Sequence, residues 1–242
     1  MGTFERVRAI PMKSSRATAA AIGVVAYAVM DMVHEAGGHW FSTLFVPAVR
    51  AVSISTVGLE THGESRVVAA AGTIANLIVG TILLWLSTRR RAGTTSRYFL
   101  WLAGIVNLTE IGYLVYSGAS GLGDWSVVVH GRPARIAMIV AGAAGYVLVV
   151  RLAARLVDVD RTAVIVSYVA GGAVMIAGAA MNPLPHAILL SGLPAGFAMT
   201  AGLLAARDGR LALPSSRTWI IAGLLVAAAF ILLLGPGVAI AR

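Results

Sequence analysis

Apolar residues fall into seven long runs separated by short polar stretches, at roughly 17–45, 67–87, 98–117, 134–154, 162–180, 186–206 and 218–240. Runs of about 20 apolar residues match the thickness of a bilayer's hydrocarbon core. The pattern predicts an all-α, polytopic bundle of about seven transmembrane helices. The connections are too short for a separate soluble domain, so residues 1–242 read as a single integral membrane domain in contact with membrane lipids. The first run follows basic residues (Arg6, Arg8, Lys13, Arg16), as a signal peptide does, but no small-residue cleavage pattern closes a short core. It reads as a retained anchor. Glycines are scattered through the runs, as close helix packing in lipid permits.

Composition agrees with lipid as the solvent. The chain is 58% hydrophobic and 12% charged. It has no Cys, so any metal must bind nitrogen or oxygen donors. The net charge of +9 would suit nucleic acid if it were clustered on one surface, but its distribution follows the membrane. With the N-terminus cytoplasmic, 14 of the 19 Lys and Arg fall on the inner side: Arg6, Arg8, Lys13, Arg16, Arg89, Arg90, Arg91, Arg97, Arg151, Arg155, Arg161, Arg207, Arg210 and Arg217. That asymmetry is the positive-inside pattern, and nucleic acid is not expected as a partner. The same topology puts all five histidines, His34, His39, His62, His130 and His186, towards the outer face and predicts one polar site there.

One stretch does not suit hydrocarbon. MDMVHEAGGHW (30–40) places Asp31, His34, Glu35 and His39 in the first span, where ionisable groups are costly and mark functional sites. On a straight α-helix all four share an arc of about 140°, with Gly38 inside it. The spacing H-E-x-x-H would put two imidazoles on one face for zinc with a glutamate beside them as general base. Here His34-Glu35-Ala36-Gly37-Gly38-His39 contains one residue more, which separates the imidazoles by about 140°. A single π-turn would realign them, and so would a helix end at Gly37-Gly38. Alternatively a straight helix would pair Glu35 with His39 and Asp31 in a different site, one suited to a metal-dependent oxidase or lipid-modifying enzyme. A non-enzymatic transporter or packing cluster is the remaining reading of such a polar patch.

Three stretches resemble the site-2 protease family of intramembrane zinc metalloproteases: VHEAGGHW (33–40), AAGTIANLIVG (70–80) and SGLGDW, found in pieces of 117–125. The likeness covers roughly residues 25–130, and 131–242 would be additional transmembrane helices. It implies zinc held by His34 and His39, Glu35 polarising the attacking water, and hydrolysis of a membrane-embedded peptide. It further implies Asp124 as third ligand and Asn76 as a substrate or oxyanion contact. His186, in NPLPH (182–186), and Glu110 remain alternatives for the third ligand, and Glu110 also suits a partner behind a histidine. Tyr113 or His130 would serve the oxyanion. GASG (118–121) resembles, more distantly, the Gly-x-Ser-Gly of rhomboid serine proteases, with His186 as partner of Ser120.

Overall fold

The computed structural model describes residues 14–89, 94–156, 160–206, 209 and 212–240. Arg6, Arg8, Lys13, Arg90, Arg91, Arg207 and Arg210, which carry much of the inner-side charge count, lie outside those residues. Among the described residues seven helices are long and apolar enough to cross a membrane: α1 (Arg16–Thr43), α2 (Arg66–Arg89), α3 (Thr94–Ser120), α5 (Arg132–Leu156), α6 (Arg161–Ala180), α7 (Ile188–Ala205) and α8 (Arg217–Leu234). A short α4 (Asp124–Val128) lies between α3 and α5. The protein is an all-α membrane helical bundle.

α1 runs through the middle. Ala19, Ile22, Ala26 and Tyr27 on it are completely buried, and it packs against α2, α3, α6 and α8. Small residues allow these approaches, as packing in lipid demands. Gly23 faces the Ser167 backbone of α6, and Gly223 of α8 faces Ala21. A buried relay ties three helices at this level: Tyr98 donates to Ser167 Oγ (2.9 Å), and Ser167 donates to the Ala19 carbonyl (2.7 Å). The outward surfaces of α2 (Ile74, Ile78, Ile82, Trp85) and α8 (Leu224, Leu225, Leu232, Leu233) are exposed and apolar, the complement of lipid tails.

Two features differ from the sequence reading. The segment between α1 and α2 is a β-hairpin, β1 (Arg50–Ile54) and β2 (Leu59–His62), rather than a loop. The last span stops at Leu234, short of the expected 240, and Val238–Ala239 form β3, which pairs antiparallel with β1 to give the order β2-β1-β3. The β-branched stretch Val52–Val57 suits extended backbone, but the strand partner comes from the far end of the chain.

Candidate metal centre

The extra residue in the histidine motif is absorbed by π-helix. α1 is regular to Met32, and Val33–Trp40 has π-type hydrogen bonding. Each π-turn takes one residue more than an α-turn, so residues five apart come to one face. His34 and His39 stand with ring centroids 4.7 Å apart. The glycine pair makes this inexpensive. Gly38 sits against α2, where an added Cβ would lie 2.5 Å from Gly72 Cα, and this close crossing brings α2 onto both rings. His39 Nδ1 lies 2.6 Å from the Val68 carbonyl oxygen. Only an Nδ1–H can satisfy that contact, which leaves Nε2 as the ligating nitrogen.

The ring of His34 is held by longer contacts. Its Nδ1 lies 3.6 Å from Glu110 Oε2, on the single 3₁₀ turn within α3, and 3.5 Å from the amide of the buried Asn76. Its Nε2 therefore points the same way as that of His39. Asp124 meets both, with Oδ2 at 3.1 Å from His34 Nε2 and 3.2 Å from His39 Nε2. Two glycines in the left-handed region, Gly121 (φ 74°) and Gly123 (φ 75°), turn the chain from α3 into α4 so that Asp124 enters the site. A side chain at 123 would also run into the Tyr113 hydroxyl. Trp125 fastens α4 to α2 by donating from Nε1 to Thr73 Oγ1 at 2.9 Å. Burial pushes the Asp124 carboxyl up, but the two imidazoles beside it, when doubly protonated, outweigh it and hold it well below the usual carboxylate range.

The residues fit a tetrahedral divalent cation. Two ligand atoms at about 2.0–2.1 Å from such an ion stand about 3.3–3.4 Å apart, close to the observed separations of 3.1 and 3.2 Å. His34, Glu35 and His39 each offer a donor atom within 4.8 Å of the others. Room for their convergence depends on Gly72, where a Cβ would lie 2.5 Å from His34 Nε2 and 2.6 Å from His39 Nε2. Glu35 is buried beside them. Leu59 of β2 lines the cavity beside it, and the Oε2 of Glu35 has no hydrogen-bond partner among the described residues.

A cavity of about 390 Å³ adjoins this group. Asp31, His34, Glu35 and His39 line it from α1, the hairpin covers another side with Val57, Gly58 and Leu59, and α7 contributes Leu190, Pro194 and Met199.

Of the residues predicted to share one site, His34, Glu35, His39, Asp124, Glu110, Asn76 and Tyr113 come together. His62, His130 and His186 do not; all three are exposed, and the five histidines do not form one cluster. His186 heads α7 with a positive φ of 64°, away from the two imidazoles. The Ser120–His186 pairing is also absent, since Ser120 spends its hydroxyl on the Tyr116 carbonyl at 2.7 Å. Gly72, Val68 and Trp125 are further parts of the site. Gly72 and Trp125 lie in the very stretches quoted for the family resemblance, whereas no side-chain signal marks a backbone carbonyl. No family model, curated protein or solved structure matches the chain.

Proposed function

We propose that this chain is a zinc-dependent intramembrane hydrolase of the site-2 protease type, cleaving a membrane-embedded peptide. The observation that carries the reading is the convergence of His34 Nε2, His39 Nε2 and Asp124 Oδ2 beside the buried Glu35. Two imidazoles and one carboxylate leave a fourth tetrahedral position open, as catalytic zinc sites do. His34, His39 and Asp124 would hold zinc, which would supply a water of pKa about 7 and a Lewis acid for the scissile carbonyl.

The protein's own groups then have distinct tasks. Glu35 accepts a proton from the water as its oxygen adds to the carbonyl carbon. It returns that proton to the nitrogen as the C–N bond breaks, leaving a carboxyl and an amine. Glu35 lines the cavity with its Oε2 unpartnered among the described residues, and so is free to act as the base. Val68 keeps His39 in the tautomer that ligates through Nε2, and the nearby Glu110 carboxylate favours the same tautomer of His34. Tyr113, packed edge-on to His34 at 5.9 Å, is placed to donate its hydroxyl proton to the developing oxyanion.

The oxidase alternative drew on Asp31, Glu35 and His39. It loses support, because Asp124 meets both imidazoles and so builds the convergent set on His34 and His39. The test is elemental mass spectrometry combined with a peptide-cleavage assay on the protein in detergent. Wild type should carry about one zinc per chain, and His34→Ala, His39→Ala and Asp124→Ala should lose it. Glu35→Gln should keep the metal and lose turnover by about 100-fold or more. A well-folded wild type that takes up no zinc when it is supplied would overturn the reading.

A further inference from the structure

Hydrolysis as proposed has no task for Asp31. This residue is only 6% exposed and lines the same cavity, and its Oδ2 has no hydrogen-bond partner among the described residues. A buried carboxylate in such a position is costly unless a cation lies against it. The cavity walls carry Asp31, Glu35, Glu64, Glu110 and Asp124 and no Lys or Arg, and the imidazole of His34 is already taken up by Asp124 and Glu110. Nor does a shared metal ion answer the charge. The proposed ligands His34, His39 and Asp124 meet one another, and Asp31 Oδ2 makes no hydrogen bond to any of them.

Geometry narrows the occupant. Asp31 precedes Glu35 by four residues in the regular part of α1, so it stands about 6 Å along the helix from the proposed base. A long side chain on a peptide residue beside the scissile bond spans that interval. Met30, Leu190, Pro194, Ala195 and Met199 offer apolar wall in the same cavity, suited to a methylene stem whose charged head reaches a carboxylate.

We propose that Asp31 anchors a Lys or Arg side chain of the substrate peptide next to the bond that is cut, making the enzyme selective for a cationic residue there. This rests on the hydrolase reading and names its substrate class.

The first test needs no turnover. Zinc-loaded, full-length protein in detergent is titrated with n-hexylammonium chloride, n-hexanol or sodium chloride, and thermal unfolding is followed. Saturable stabilisation by hexylammonium alone is expected, with the apparent Kd weakened about tenfold or more in Asp31→Asn and the zinc content unchanged. Equal responses of wild type and Asp31→Asn would overturn the proposal. So would equal stabilisation by hexanol or by sodium in wild type, an outcome that can be read even if the variant does not fold.

In the second test, peptides with Lys or norleucine beside the cut are compared. The Lys preference in kcat/KM should fall about tenfold in Asp31→Asn, with norleucine peptides unaffected. Amine binding at Asp31 with no cleavage of any peptide would sink the hydrolase reading and leave the cation subsite. Cleavage without a Lys preference would sink the subsite and leave the hydrolase.

Discussion

A methyl group added at position 37 meets only the Met32 carbonyl oxygen, 3.9 Å away, whereas one at 38 would stand 2.5 Å from Gly72 Cα. These neighbours therefore have opposite tolerances. Gly37→Ala should leave zinc content and melting temperature near wild type. Gly38→Ala must push α1 from α2, an overpacking cost of about 1–3 kcal/mol, and Gly72→Ala would drive a Cβ into the two Nε2 atoms. Both should lower zinc affinity by at least about tenfold, by analogy with the loss of outer contacts at metal sites. Competition with a zinc chelator measures this, and a Gly72→Ala variant that binds zinc as tightly as wild type would refute the role given to that position. The H-E-x-x-x-H spacing and the acids of α1 were legible in the sequence as unusual residues for a span. Gly72 was only one of 27 glycines until its place beneath the rings was known.

The π-segment Val33–Trp40 amounts to one residue inserted into an α-helix. Deleting Gly37 should let α1 continue as regular α-helix with the histidines four apart, about 40° around the axis. Gly38 would still precede His39 and keep its place against α2. The deletion variant should retain about one zinc per chain, whereas adding a second residue there should abolish binding. Loss of zinc on deletion would show that the π-turn does more than restore register. The start of α6 offers a separate check on helix capping. Asp160 Oδ1 accepts from the Thr162 amide at 2.8 Å. Burial raises the Asp160 carboxyl, but hydrogen bonds from Thr162 and Ser14 together outweigh it and hold it below its ordinary value. A carboxyl depressed in the folded state stabilises fully above its unfolded pKa of about 3.9 and loses that contribution as pH falls through the folded value. Asp160→Ala should therefore cost about 1 kcal/mol at pH 7, or about 2–4 °C in Tm, with the gap narrowing towards pH 3. A gap that does not change with pH would show that the cap's charge contributes nothing.

For the assembled bundle, the orientation of the spans decides which side the site faces. Because the chain has no Cys, single cysteines can report it. With the N-terminus inside, Glu64→Cys before α2 should react with a membrane-impermeant maleimide added to intact cells. Thr95→Cys, at the other end of the α2–α3 hairpin, should react only after permeabilisation. The reverse labelling would put the site on the cytoplasmic side. Span number and the polar interruption of the first span follow from hydrophobic pattern, because lipid imposes a length and an apolar composition on every segment that crosses it. The pairing of His34 with His39 could be narrowed from sequence to a few backbone solutions and no further, since α- and π-turns differ little in local cost at a glycine pair. What selected the π-turn is contact made elsewhere in the chain: the Val68 carbonyl on His39, the Gly38–Gly72 crossing, and Asp124 brought in by a turn some 85 residues downstream. The hairpin over Glu35 escaped the sequence for the same reason, as β1 is completed by a strand near residue 240. Local pattern determines which segments enter the membrane, and long-range packing determines which of their polar atoms meet.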